Sequence, residues 1–163
     1  MKKTILTLVL ILSAAFAFAQ QDGVTLWSEI TSEGPVSAKF TLKGMDGQGR
    51  QVVSESGTVW MQGESYKIES ESTGIWCDGS SMWVLSKDID ELVISPNETL
   101  PFMKAANVRK DQKGNITATY TADDIKFQVY VTSLKYLEKK FAASYFKCNV
   151  EALGEDVIVT DLR

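Results

Sequence analysis

The chain contains no histidine. That absence removes the general base of Ser-His-Asp and Cys-His catalysis and the commonest ligand of zinc sites. No Gly-rich phosphate loop is present, because Gly44, Gly47 and Gly49 sit at a candidate hairpin tip with no helix after them. No Ser-x-x-Lys spacing stands where it would make a nucleophile. The acidic groups Asp88/Asp90/Glu91 and Asp123/Asp124 read as solvated turns with too few oxygen ligands for calcium. The sequence points away from an enzyme, and it calls for no cofactor and no metal.

Basic residues are also scarce. Lys and Arg number 17 against 21 Asp and Glu, a net charge of −4. Nucleic-acid phosphates and anionic lipid surfaces attract clusters of Lys and Arg, so neither is an expected partner. Cysteine is limited to Cys77 and Cys148, far apart and both in strand-like segments. They read either as two small buried hydrophobes or as a disulfide, which an exported protein can form. Their spacing is not that of a metal site.

Long apolar runs are missing as well, except near the start. Lys2-Lys3 form a basic head, Ile5 to Leu12 an apolar core, and Ala17-Phe18-Ala19 a small-residue cleavage site before Gln20. The run is short against the roughly 20 residues of a membrane span. Residues 1–19 are expected to be a cleaved secretory signal, leaving a soluble, exported protein. No Cys follows the cleavage site to take a lipid. What remains, residues 20–163, is 144 residues with a net charge of −6, one domain able to bury its own core.

Along that domain the dominant signal is period-2 alternation. Residues 22–33 predict a short helix, with Trp27 and Ile30 on one face and Gly34-Pro35 ending it. Strands follow at 36–43, 51–61, 66–72 and 91–95, with Gly- and Asp-bearing turns between them. Asp78-Gly79 stands between apolar arms carrying Trp76 and Trp83, the signature of a tight β-hairpin. Pro96 closes this meander, and residues 97–106 read as a short helix or loop carrying Leu100, Phe102 and Met103. Strands are expected again at 116–121, 125–134, 144–151 and 157–162. Ile125, Phe127, Val129 and Val131 give the cleanest alternation, and Phe146, Cys148 and Val150 are expected to share one strand face.

The result is about nine short strands with one or two short helices. Such a sheet must close, stack on a second sheet, or curl around its helices. The aromatic and Met residues then have two readings, ordinary core or the lining of a cavity for acyl chains.

Three segments, in order, carry a family resemblance. The first is Phe40, a Gly-rich turn, and Glu55-Ser56-Gly57-Thr58-Val59-Trp60-Met61-Gln62-Gly63-Glu64-Ser65-Tyr66-Lys67-Ile68. The second is Cys77-Asp78-Gly79-Ser80-Ser81-Met82-Trp83-Val84-Leu85, followed by Glu91-Leu92-Val93-Ile94. The third is Tyr145-Phe146-Lys147-Cys148-Asn149-Val150, then Val157-Ile158-Val159-Thr160-Asp161-Leu162-Arg163. Together they resemble the LolA-like periplasmic carriers of outer-membrane lipoproteins, while residues 96–143 match poorly. Where the family places an Arg that latches its lid, this chain has Gln62 and Gly63.

The resemblance implies a mainly β (α+β) fold: a strongly curved, unclosed antiparallel half-barrel whose concave face is lidded by short helices. It implies a monomeric chaperone with acylated lipoproteins as cargo. An inner-membrane exporter would load it and an outer-membrane acceptor would unload it. The candidate lipid-lining residues are Phe40, Val59, Met61, Ile68, Trp76, Trp83, Ile94, Phe102, Met103, Phe127 and Phe146. An envelope protein-interaction or stress-sensing module on the same scaffold is the second reading.

Overall fold

The computed structural model describes residues 22–97, 105 and 107–163. The proposed signal and most of the 97–106 segment, with Phe102 and Met103, lie outside the described residues. The first element is helix α1, Gly23–Ser32. Asp22 caps it: its carboxylate accepts from the Thr25 amide at 2.9 Å and from the Thr25 hydroxyl at 2.8 Å. The backbone hydrogen bond from Thr25 is the main cause that holds the Asp22 carboxyl below its ordinary range. Leu26, Trp27 and Ile30 form the buried face of α1, and Gly34, at φ +149°, turns the chain into the sheet.

Ten strands then form one mixed sheet. They are β1 Val36–Met45, β2 Gln51–Gln62, β3 Ser65–Ser70, β4 Thr73–Cys77, β5 Ser81–Ser86, β6 Glu91–Pro96, β7 Asn107–Lys110, β8 Ile116–Ala122, β9 Ile125–Tyr136 and β10 Ile158–Asp161. Their order is β10-β6-β5-β4-β3-β2-β1-β9-β8-β7, so among the described residues β10 and β7 are the edge strands and the sheet does not close. This is the open half-barrel, with α1 across its concave face. Every pairing is antiparallel except β10 with β6.

Local chemistry sets the register. At the β4–β5 hairpin, Asp78 Oδ1 accepts from the Ser80 and Ser81 amides, each at 2.9 Å, and Gly79 adopts φ +92°. That turn places Trp76 directly opposite Trp83. In β9, Ser133 at φ +55° marks a bulge against β1, where the register shifts between Ser37 and Lys39. A bulge bends the strand and increases its twist, as a curling sheet requires. It also shifts the alternation, so that Leu134 joins Val129 and Val131 on the core side.

Two apolar cores lie on opposite faces of this sheet. The concave core joins α1 to inward residues of β1 to β5 and β7 to β9, including Val36, Ala38, Val59, Met61, Ile68, Met82, Val108, Ile116, Val129 and Val131. The convex core joins Trp83, Leu85, Leu92 and Ile94 to Cys148, Val150, Leu153 and Val157 from the segment before β10. That segment wraps the outside of the sheet, which explains how β10 comes to lie parallel to β6. Residues 144–151, expected as a strand, instead hold two 3-10 turns, Ala143–Phe146 and Val150–Leu153. Phe146 ends the first turn, and one extended residue, Lys147, carries the chain to Cys148, so both apolar side chains are buried without any strand.

Cys77 belongs to the concave core and Cys148 to the convex one, so the sheet separates them. Cys77 Sγ donates to Asn97 Oδ1 at 3.2 Å. Burial raises both thiols above their ordinary range, so neither is a thiolate nucleophile. We expect two free thiols per chain that react with Ellman's reagent only after denaturation. A reduction-sensitive shift in gel mobility would contradict this separation.

Candidate functional site

The concave core is not completely filled. Between α1 and the sheet lies a cavity of about 200 Å³. Phe40 and Leu42 of β1, Val59 and Met61 of β2, Ile68 of β3 and Ile75 of β4 line it. Trp27 of α1, Tyr120 of β8, and Val129 and Val131 of β9 complete its apolar wall. Within this lining, the residues that each strand contributes alternate with ones that point away. Burial pushes the Tyr120 phenol above its ordinary range, so it stays neutral. Only Glu55, Ser70 and Thr73 bring side-chain carboxylate or hydroxyl groups other than this phenol into the described wall.

A second, more polar space of about 510 Å³ adjoins the first. Val24, Ser28 and Thr31 of α1 face Gly63, Glu64, Tyr66 and Asn97 across it. Trp27 and Met61 line both spaces, so these two side chains form the partition.

Of the residues expected to line a lipid site, Phe40, Val59, Met61 and Ile68 do line the cavity. Phe127 shares their face but stacks on Tyr120, with centroids 5.0 Å apart, and reaches the cavity only through that ring. Trp76, Trp83, Ile94 and Phe146 are on the other side of the sheet. Trp83 and Ile94 are buried in the convex core and Trp76 packs against it. Phe146 lies under the outer wrap against Phe141 and Tyr145, with centroids 5.4 Å from each. The physical reason is parity. In a strand a one-residue step changes face, so Ile75 faces the cavity while Trp76 faces out.

Trp27, Leu42, Ile75, Tyr120, Val129 and Val131 are lining residues that the sequence does not single out. Signals for some are present: the alternation of Phe127, Val129 and Val131 marks one face, and Trp27 lies on the apolar face of its helix. Nothing in the sequence says that this face is the concave one.

Chemically, the arrangement is a receptacle. The buried thiols are held protonated, and among the described residues no group of three or more His, Cys, Asp or Glu side chains could hold a metal. No helix among the described residues is long and apolar enough to cross a membrane.

No family model matches the chain, and no curated protein does. Among solved structures, a crystal structure of an uncharacterized conserved protein from Thermus thermophilus is similar at 13% identity and a TM-score of 0.48, over 85% of this chain and 96% of that one.

Proposed function

We propose that this protein is an exported, non-enzymatic carrier that shelters acyl chains of outer-membrane lipoproteins between the inner and outer membranes. The observation that supports this reading most is the apolar cavity of about 200 Å³ under α1. An acyl chain in water costs about 0.8 kcal/mol per exposed CH₂, so a carrier must offer apolar surface. Typical ligand pockets measure about 300–1,000 Å³, and an engineered cavity of about 150 Å³ takes one benzene ring. The cavity as it stands therefore suits part of one acyl chain, and a larger cargo requires α1 to give way. A helix that competes with cargo for the same apolar wall lets the carrier release it without an energy source of its own. The LolA-like segments in the sequence support the same reading, with an exporter and an acceptor as partners.

The test is native mass spectrometry of the mature protein purified from envelope extract. A bound acylated species supports the carrier and names its cargo. A protein that emerges empty and also ignores added acylated lipoprotein overturns it. The interaction-module reading has one observation in its favour. On the edge strand β10, Ile158 is 65% exposed, and Leu162 just after it is 63% exposed. An apolar, unguarded strand edge is a ready template for another strand. Co-purification of a stoichiometric protein without lipid would select that reading instead.

A further inference from the structure

We infer that Glu55 makes the cavity selective by headgroup charge: it admits acyl ligands with uncharged or cationic heads and turns away fatty-acid and phosphate anions. The inference rests on the carrier reading and deepens it. The β2 residues that line the cavity run from Glu55 to Met61, six steps of strand or about 20 Å at 3.3 Å per residue. Its two ends differ in chemistry. Trp27 and Met61 close the first with apolar surface. At the second, Glu55 of β2, Ser70 of β3 and Thr73 of β4 converge from neighbouring strands. A single-tailed amphiphile has one orientation that satisfies both ends, tail toward Trp27 and head toward Glu55.

The polar end carries a definite charge. Glu55 is the one carboxylate in the described lining, and no Lys or Arg is among the described residues that line the cavity. Its Oε1 accepts a hydrogen bond from the Ser72 hydroxyl, an uncharged partner. No ion pair to Glu55 occurs among the described residues. Lys87 enters this corner too: its Nζ donates to the backbone carbonyl of Ser70 at 2.6 Å and makes no ion pair with Glu55. Among the described residues the direct partner of the Glu55 carboxylate is thus a neutral hydroxyl and not a cation. An anionic head beside it, with apolar walls to limit screening, is repelled. A hydroxyl or ammonium donates to the carboxylate. An ester head has no charge to repel and can accept from the hydroxyls of Ser70 and Thr73. Acyl chains held as esters or amides on a protein are of this uncharged class, whereas free fatty acids are anions and phospholipids carry an anionic phosphate. Such a filter disfavours free fatty acids and anionic phospholipids as competitors for the cavity.

The experiment uses the mature chain and three probes with the same tail: dodecanol, dodecylamine and dodecanoate. Each displaces a fluorescent apolar reporter at neutral pH, and the readout is the ratio of dissociation constants within each protein. Dodecanoate should bind about tenfold or more weakly than dodecanol, and dodecylamine at least as well as dodecanol. In Glu55→Gln, verified as folded by circular dichroism, the dodecanoate-to-dodecanol ratio should fall to about two or less. Equal binding of all three probes to the wild type, or discrimination that persists in Glu55→Gln, overturns the role of Glu55 and leaves the carrier reading standing. Failure of all three probes to bind overturns both.

Discussion

Replacing Gly57 with alanine is expected to destabilise the protein by about 3 kcal/mol or more. Gly57 lies in β2 opposite Phe40 of β1 and Ser70 of β3. A Cβ added there would stand 2.1 Å from the Glu69 carbonyl oxygen and 2.9 Å from the edge of the Phe40 ring. The ring could rotate away, but the carbonyl is backbone. Relief requires β2 to move off β3 in the middle of the sheet, where the ladder is continuous on both sides. Overpacking in a core that can flex costs about 1–3 kcal/mol, and this contact sits at the rigid end of that range or beyond it. For a domain of this size, 3 kcal/mol corresponds to a fall in Tm of about 6–12 °C. Differential scanning calorimetry of Gly57→Ala beside the wild type would measure it. A Tm within about 2 °C of the wild type would mean that β2 and β3 separate easily. The same substitution should weaken binding of an apolar probe, because Phe40 lines the cavity and its ring packs over the Gly57 position.

The sequence is legible where local chemistry decides and silent where distant packing decides. Asp78-Gly79 specifies its own turn, and the Trp76–Trp83 pairing follows from it. Asp22, with Gly34-Pro35 at the other end, bounds α1. The alternation of β9 identifies one face of a strand as apolar. None of these signals says which face will be concave, because both faces of this sheet are covered. A strand covered on both sides loses the contrast between wet and dry residues from which parity is read. Side-chain size does not repair the loss: in β4 the larger residue, Trp76, faces out, and Ile75 faces the cavity. The segment 144–151 misleads for a related reason. Phe146 and Cys148 stand two apart and are both buried, which a strand explains, but a 3-10 turn with one extended residue explains it equally. Strand β7 has one buried residue, Val108, among exposed polar neighbours, and so has no periodic signal to detect.

The two faces also differ in how tightly they are packed, and that difference bears on function. Outside, Gln62 exchanges hydrogen bonds with the Phe141 backbone, accepting from its amide at 2.8 Å and donating to its carbonyl at 3.3 Å. Lys67 places its ammonium over Tyr145, Trp60 and Trp76, 5.1, 5.6 and 5.8 Å from the ring centroids. Tyr145 stacks on Phe141, with centroids 4.5 Å apart. Each cation–π contact is worth about 0.5–1 kcal/mol when partly exposed, and together they fasten the outer wrap to β2, β3 and β4. Gln62 thus ties down the outer wrap. On the inner face, the Gly23 amide of α1 donates to the Ala105 carbonyl at 3.0 Å, and α1 buries Leu26, Trp27 and Ile30 in the concave core. A face held mainly by apolar contact is the one that an apolar ligand can compete for.

That asymmetry makes the effects of substitutions on the two faces separable. Phe146→Ala should cost about 3–5 kcal/mol, the usual penalty for removing a fully buried aromatic ring. Phe146 is 1% exposed and touches two other rings, so the wrap has nothing to refill the gap with. Folded Phe146→Ala protein should nevertheless bind an apolar fluorescent probe within about twofold of the wild type, a difference of under about 0.5 kcal/mol. Ile75→Asp should do the reverse. Ile75 is only partly buried, so a carboxylate there retains access to water and costs the fold less than a core charge would. It would, however, place a negative charge in the apolar wall, and probe binding should weaken by more than about tenfold. Chemical denaturation gives the first quantity and probe titration at low temperature gives the second. If the outer substitution abolished binding in folded protein while the inner one spared it, the ligand surface would be the convex face. The aromatic residues there, Trp76 and Trp83, would then be its lining after all. If the penalties divide as expected, the sheet has one face that keeps the protein folded and another that is free to take cargo.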